Sequence, residues 1–255
     1  MSVKDLAAEL YRARVRRFTI PPIADRVPDF GPASAYAVQA SGIEMRLSDG
    51  EQIIGGKLGF TSKAMQRAMG VFSPNYGWLT DAMVRSDQIS LSELIHPKVE
   101  PEIAFRLGGD LDDPGAGATD VLAATVAVAP CLEVVDSRFD DFKFGPLDNV
   151  ADNSSSGQLV VGKWVDVPTD RLDLIGVVLS VDGVPTMTAA GAAALDHPAE
   201  AVAWMARAVA GHQRPLMSGD IVISGGLTAP LDLAGGQAVH LEIDRVGTCE
   251  FKVRS

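Results

Sequence analysis

The sequence predicts an α+β protein in which a small, mainly helical N-terminal part precedes a β-rich part. Over residues 3–47, apolar side chains recur at the three-to-four-residue spacing of a helix face. From residue 89 onward, short apolar runs alternate with Gly, Asp and Pro turn signals, which is typical of strands. We therefore expect a mainly helical part at residues 1–70 and a β-rich catalytic domain at residues 71–255.

The first part is predicted to contain three helices and one strand. Leu6 and Leu10 share one face of a helix over residues 3–17, and the Pro21-Pro22 pair ends it. The other elements expected here are a helix over 33–47, a Gly-rich strand over 52–60 and a short helix over 63–69.

The second part is predicted to be mostly strands joined by turns, with two helices. Residues 74–77 are expected to form a loop, and residues 139–152 an irregular segment. The Asp182-Gly183 pair is typical of a hairpin turn. Strands are expected at 89–94, 99–107, around 133, and at 159–161, 176–181, 221–224, 238–243 and 249–253, and helices at 119–128 and 199–210.

Composition and charge exclude several classes of function. The chain has 255 residues, of which 47% are hydrophobic and 22% are charged, as in ordinary globular proteins. The formal net charge of −11 disfavours nucleic acids and anionic membranes as partners. No apolar run reaches the roughly 20 residues that a membrane span needs. The N-terminus lacks an apolar signal core and the two cysteines form no disulfide framework, so we expect a cytoplasmic location.

Three glutamates lie inside apolar runs and form the candidate metal site. In an extended chain Glu100 and Glu102 point to the same face, and Glu133 follows a second apolar run. An ionised carboxylate in such a setting is costly unless it is paired or binds a metal. Three carboxylates suit Mg²⁺ or Mn²⁺. The alternative is that each glutamate pairs with Arg106 or Arg138, or faces solvent.

Several motifs, taken together and in order, resemble the fumarylacetoacetate hydrolase superfamily, in its hydratase/decarboxylase branch. The resemblance covers nearly the whole chain. The motifs are Gly56-Lys57-Leu58-Gly59-Phe60-Thr61-Ser62, the stretch from His96 to Phe105, Glu133-Val134-Val135-Asp136-Ser137-Arg138, the stretch from Val150 to Gly157, and Gly225-Gly226-Leu227-Thr228.

The resemblance implies a fold, a cofactor and a class of substrate. The expected fold is a barrel-like core of mixed sheet, and the expected cofactor is Mg²⁺ or Mn²⁺ held by Glu100, Glu102 and Glu133. The substrate would be a small 2-oxo acid. Relatives form homo-oligomers and some pair with a companion hydratase, so the resemblance also implies such assembly.

The resemblance and the local sequence together suggest which other residues contact the substrate. Lys57 is the first candidate for a catalytic cation, because the neighbouring glycines let a ligand approach closely; otherwise it is a surface lysine. Lys143 lies between two phenylalanines and is a weaker candidate. Asp136 is expected to support a ligand or Arg138. Further substrate contacts are expected from Asn75, Asn153, Ser155 and Thr228, for which turn formation is the alternative.

Within this branch, decarboxylation of 2-oxo-3-hexenedioate is favoured over hydration of 2-hydroxypenta-2,4-dienoate. The segments Phe142-Lys143-Phe144 and Tyr76-Gly77-Trp78-Leu79 resemble the decarboxylases. Hydratases tend to carry an aspartate at the position of Asn75, and an amide cannot exchange a proton near neutral pH. A third possibility, of another class, is a non-catalytic partner subunit in which the glutamates hold a structural ion.

Overall fold

The computed structural model describes residues 1–63, 66–67, 70–168 and 171–255. It has an α+β architecture with two curled mixed sheets that form a half-barrel, so the predicted fold class is confirmed. The predicted helix over 63–69 lies partly outside the described residues. No helix among the described residues is both long enough and apolar enough to cross a membrane.

Two helices lie within residues 1–63 of the described chain, close to where the sequence places them. Helix α1 (Val3–Arg16) begins with a capping box between Ser2 and Asp5. Helix α2 (Pro32–Ser48) begins with proline in its first turn. Their apolar faces pack together in a small core that also includes Phe139.

The larger sheet contains the strands that position the site. Its eight strands follow the order β2-β1-β10-β5-β6-β7-β3, and β11 also pairs with β5. These strands are β1 (Ile53–Gly59), β2 (Asn75–Thr80), β3 (Val84–Arg85), β5 (Lys98–Leu107), β6 (Thr125–Val135), β7 (Ser156–Val161), β10 (Ile221–Ile223) and β11 (Leu231–Asp232).

The smaller sheet packs on the larger one through a shared apolar core. Leu132 and Val134 of β6 belong to the same buried cluster as Leu241 and Phe251 of the second sheet. Its five strands, in the order β4-β13-β12-β8-β9, are β4 (Gln88–Ser90), β8 (Gly176–Val181), β9 (Val184–Ala190), β12 (Ala238–Ile243) and β13 (Gly247–Arg254). The further α-helices among the described residues are α3 (Ala118–Ala124), α4 (Pro146–Ala151) and α5 (Pro198–Val209).

Four local predictions are wrong, three because strand pairing decides the structure and one because a proline begins a helix. Asn75 to Gly77 belong to strand β2, which pairs with β1. The helix expected over 119–128 ends at Ala124, because residues from Thr125 onward pair with β5. Strand β4 ends at Ser90, before a 3₁₀ turn. The segment expected to be irregular contains α4, which begins with Pro146.

The division at residue 70 stays a prediction. Strand β1 comes from the first part, yet it pairs antiparallel with β2 and parallel with β10 in the larger sheet. The first part therefore supplies Lys57 to the sheet that carries the glutamates.

Candidate active site

The pairing of β5 with β6 brings the three glutamates together. Glu100 lies directly opposite Glu133 in the antiparallel register, and Glu102 lies two residues further along β5. Directly opposed residues share a face of the sheet, as do residues two apart in one strand. One carboxylate oxygen from each glutamate lies within 4.8 Å of the other two.

In this glutamate cluster (Glu100, Glu102 and Glu133), some buried carboxylate oxygens have no hydrogen-bond partner. Glu102 is fully buried, and only its Oε2 accepts a hydrogen bond, from the Gly225 N–H at 2.7 Å. Glu102 Oε1 and Glu133 Oε1 are buried with no hydrogen-bond partner. Since a buried anionic oxygen without a partner is costly, these atoms are suited to bind a cation.

Lys57 is the nearest cation to the cluster. Its side chain is 2% exposed, and its Nζ lies 2.9 Å from Glu133 Oε2 and donates a hydrogen bond to the Ser154 carbonyl at 2.9 Å. Burial opposes the charged form, but the three surrounding carboxylates outweigh it and raise the pKa of Lys57. Lys57 is therefore an ammonium held inside the protein, and the alternative of a surface lysine is excluded.

One lysine does not balance the charge of three carboxylates. Burial raises the pKa of Glu100 to about 7, with Lys57 opposing the shift and Glu133 adding to it. Burial and the neighbouring Glu133 raise the pKa of Glu102 well above its ordinary value. When all four groups are ionised the cluster keeps two negative charges, which a divalent cation would neutralise. The all-oxygen donor set fits a hard ion such as Mg²⁺ or Mn²⁺.

Two glycines allow backbone segments to approach this cluster. A Cβ at Gly226 would lie 2.8 Å from Glu100 Oε1, and one at Gly59 would lie 2.3 Å from Asn75 Oδ1. A larger residue at either position would therefore force the Glu100 carboxylate or the Asn75 amide to move.

A network of amides and hydroxyls forms the wall beside Lys57. Asn75 Nδ2 donates to Asn149 Oδ1 at 2.7 Å, and Ser154 Oγ donates to Asn75 Oδ1 at 2.9 Å. Asn149 Nδ2 in turn donates to Ser155 Oγ at 2.9 Å. The sequence analysis did not identify Asn149 or Ser154; both lie in or next to motifs that were singled out, but nothing in their spacing marks them.

The segment that carries these serines has an unusual backbone. Asn153, Ser154 and Ser155 have φ angles of 52°, 54° and 55°, which is the left-handed region that non-glycine residues rarely occupy. The Asn153 side chain fixes the segment to β2, because it accepts from the Trp78 N–H and donates to the Trp78 carbonyl, both at 2.8 Å. The Asn153 side-chain amide is thus used in hydrogen bonds to β2, whereas Ser155 lines the pocket.

Asp136 and Arg138 lie behind the site and hold separate segments. The Asp136 carboxylate accepts the N–H groups of Ile95 and His96, just before β5 begins. Arg138 forms a buried ion pair with Asp152 and donates to the Asp136 and Ser156 carbonyls. Asp136 therefore supports Arg138 through its carbonyl rather than its carboxylate.

A pocket of about 240 Å³ opens beside Glu100. It does not include Lys143, which is exposed and paired with Asp141, or Thr228, which donates to the Ala229 carbonyl. The residues lining it are Lys57, Gly59, Phe60, Lys98, Glu100, Val135, Phe142, Phe144, Asn149, Ser154, Ser155 and Pro230. Of the predicted site residues, the structure thus brings Lys57, the glutamates, Asn75 and Ser155 together and leaves Lys143 and Thr228 outside. The functional roles of all these predicted site residues stay predictions.

Comparison with known proteins finds relatives over almost the whole chain. The chain is 45% identical over 215 residues to a 2-hydroxypent-2,4-dienoate hydratase of Pseudomonas putida, covering 82% of this chain and 96% of that protein. It is 39% identical over 249 residues to a 2-hydroxyhexa-2,4-dienoate hydratase of Comamonas testosteroni, covering 95% and 94%.

A solved structure also matches this chain over almost its whole length. It is the 4-oxalocrotonate decarboxylase from Pseudomonas putida G7 complexed with magnesium and adipate, which superposes with a TM-score of 0.95 at 34% identity and covers 98% of this chain and 97% of that one. The prediction of a lyase is confirmed, since decarboxylases and hydratases both belong to that class. The model of the fumarylacetoacetate (FAA) hydrolase C-terminal family matches residues 65–254. The chain therefore belongs to the fumarylacetoacetate hydrolase family.

Proposed function

We propose that the protein is a divalent-metal-dependent decarboxylase of 2-oxo-3-hexenedioate, acting in the meta-cleavage degradation of aromatic compounds. The metal, Mg²⁺ or Mn²⁺, would be held by Glu100, Glu102 and Glu133. The observation that carries this proposal is the glutamate cluster: Glu102 and Glu133 have buried oxygens without a hydrogen-bond partner, and Glu100 lines a pocket of about 240 Å³. When bound, a divalent ion supplies Lewis-acid polarisation of a 2-oxo group.

The reaction needs stabilisation of negative charge but no covalent nucleophile. The bond between C5 and C6 breaks and C6 leaves as CO₂. Its electron pair forms a C4–C5 double bond, the C3–C4 double bond moves to C2–C3, and the charge ends on the C2 oxygen, which then takes a proton. Lys57, kept cationic by its carboxylate neighbours, is positioned to stabilise charge that develops near the glutamate cluster.

The pocket walls offer no second acid beside the glutamate cluster. Phe142, Phe144 and Val135 form an apolar side of the pocket. Among the described lining residues, Glu100 is the one carboxylate, so no separate carboxylic acid is left to activate water.

Hydration of 2-hydroxypenta-2,4-dienoate is the second candidate. It is favoured by the two hydratases at 45% and 39% identity. Against it stands Asn75, which is buried between Asn149 and Ser154 and offers no titratable group.

Assays of both reactions on the purified protein with Mg²⁺ test the proposal. The decarboxylation proposal expects CO₂ release from 2-oxo-3-hexenedioate and little water addition to 2-hydroxypenta-2,4-dienoate. Formation of a hydroxy-keto acid without gas release would contradict the decarboxylation proposal and favour the hydratase. Asn75→Asp, assayed in parallel, is expected to gain hydration if this position decides between the two reactions.

A further inference from the structure

A lysine precedes the two glutamates on the same face of β5. Lys98, Glu100 and Glu102 alternate along the strand and therefore point to the same side of the sheet. Lys98 also lies opposite Val135, and both line the pocket. Two residues of strand separate Lys98 from Glu100 by roughly 6.6 Å, which is the scale of a short dicarboxylic acid.

Lys98 forms an ion pair with Asp232, and the two side chains differ strongly in exposure. Its Nζ lies 2.8 Å from Asp232 Oδ1 and 5.1 Å from the centre of the Phe142 ring. The Lys98 side chain is 25% exposed, whereas the Asp232 side chain is 83% exposed. Asp232 can return to water at little cost, because a surface ion pair contributes little. An anion entering the pocket can therefore take its place beside Lys98.

The other residues at this end of the pocket are apolar or already paired with another group. Phe142, Phe144 and Pro230 offer no charge to a ligand. Lys57, the other lysine among the described lining residues, is bound to Glu133 and the Ser154 carbonyl. Lys98 is thus the cation that remains for a second carboxylate.

We propose that Lys98 binds the distal carboxylate of a dicarboxylic 2-oxo acid, displacing Asp232, and so selects diacids over monoacids. The inference rests on the proposed function in one respect, that the 2-oxo end of the ligand lies at the glutamate cluster. Lys98 acts as a specificity residue: its ion pair forms with the bound diacid before any bond breaks. Because the carboxylate it holds is the one that leaves as CO₂, loss of Lys98 should raise KM for the diacid without lowering kcat.

Two stable ligands isolate this contact without turnover. 2-Oxoadipate and 2-oxohexanoate differ only at C6, which is a carboxylate in the first and a methyl group in the second. Their dissociation constants would be measured by calorimetry with Mg²⁺ present, on the full chain. The wild type is expected to bind 2-oxoadipate at least about tenfold more tightly, as befits a charge-assisted hydrogen bond.

Four variants test the assignment. Lys98→Met should remove the preference and Lys98→Arg should retain it. Lys4→Met is the matched control, since Lys4 is exposed on α1 and lies outside the pocket, and it should leave the preference unchanged. Asp232→Asn should retain or increase the preference, because it removes the competing carboxylate. A thermal melt of each variant shows that it is folded.

The inference is overturned if the wild type does not prefer the diacid, if Lys98→Met keeps the preference, or if Asp232→Asn abolishes it. Failure of the proposed function gives a different result. In that case the wild type prefers 2-oxoadipate and releases no CO₂ from 2-oxo-3-hexenedioate.

Discussion

Two charge clusters are linked to the segment from residue 152 to residue 155, one through Asp152 and the other through the hydrogen bond from Lys57 to the Ser154 carbonyl, and they differ in how completely their atoms are paired. In the arginine cluster, Arg138 donates to Asp152 and to three backbone carbonyls. In the glutamate cluster, oxygens of Glu102 and Glu133 have no hydrogen-bond partner. Glu102 and Glu133 are as buried as Arg138 and Asp152, so burial alone does not distinguish the two clusters.

The difference separates a structural cluster from a binding site. A completely paired cluster recovers its cost of desolvation within the folded chain, and breaking it destabilises the protein. An incompletely paired cluster leaves that cost uncompensated until a ligand binds. We therefore expect changes in the glutamate cluster to affect activity and changes in the arginine cluster to affect stability.

The largest expected effect is the loss of activity in Glu102→Gln. Removing one of three metal ligands should lower kcat/KM for decarboxylation by roughly 10³-fold or more, about 4 kcal/mol of transition-state stabilisation. The melting temperature should stay the same or rise, since one unpaired buried charge disappears. The measurements are CO₂ release and thermal melting, with the exposed Glu44→Gln as a control. Unfolding of Glu102→Gln would instead support a structural ion in a non-catalytic subunit.

The second prediction concerns Arg138→Met. It leaves the Asp152 carboxylate buried without its partner and should lower the free energy of unfolding by about 3–5 kcal/mol. The control is Arg171→Met, whose guanidinium is largely exposed beside Asp173 and whose loss should lower the free energy of unfolding much less. Denaturant melts measure both. Equal losses in the two variants would mean that the arginine cluster is not structural.

The third prediction is that Mg²⁺ stabilises the protein through the glutamate cluster alone. At a free concentration 100 times Kd, one bound ion adds about 2.7 kcal/mol to the free energy of unfolding. The melting temperature should rise in the wild type and remain unchanged in Glu102→Gln. An equal rise in both proteins would place the stabilising ion elsewhere.

The smallest expected effect is the pH dependence of a helix cap outside both clusters. His197 Nδ1 accepts the Ala199 N–H at 3.1 Å and caps α5. Burial lowers the pKa of His197, with Asp173 opposing the shift and Arg171 adding to it. The unfolded chain therefore takes up this proton first. The stabilisation is complete above the unfolded pKa of about 6.5 and is lost as pH falls through the folded pKa.

His197→Asn is the comparison for this effect, because asparagine caps a helix without titrating near neutral pH. Relative to that variant, the wild type should lose about 1 kcal/mol of stability between pH 8 and pH 5. Groups in both charge clusters titrate alike in the two proteins, so the difference isolates His197. A constant difference across this range would exclude the cap as a titrating group.

The glutamate cluster was predictable from sequence because its placement depends on local alternation. Glu100 and Glu102 share a face in any extended strand, and the same period-two rule would have added Lys98, which the sequence analysis did not consider. The rule does not apply to Lys143, which follows a 3₁₀ turn and is exposed although its neighbours Phe142 and Phe144 line the pocket.

Other features depend on contacts that no local pattern encodes. The register of β5 against β6, which puts Glu133 opposite Glu100, is fixed by tertiary packing. The network of Asn149 and Ser154 forms because α4 and the left-handed backbone after it place polar groups beside β1 and β2. Asn75, expected in a loop, lies in a strand for the same reason.

The most direct test of the account is a crystal structure with Mn²⁺ and 2-oxoadipate, in which anomalous scattering locates the metal. The account predicts one manganese peak within roughly 2.0–2.3 Å of an oxygen from each of Glu100, Glu102 and Glu133. It also predicts that the oxygens without a hydrogen-bond partner are among those that bind the ion. A manganese peak elsewhere, or none at a concentration that supports turnover, would contradict it.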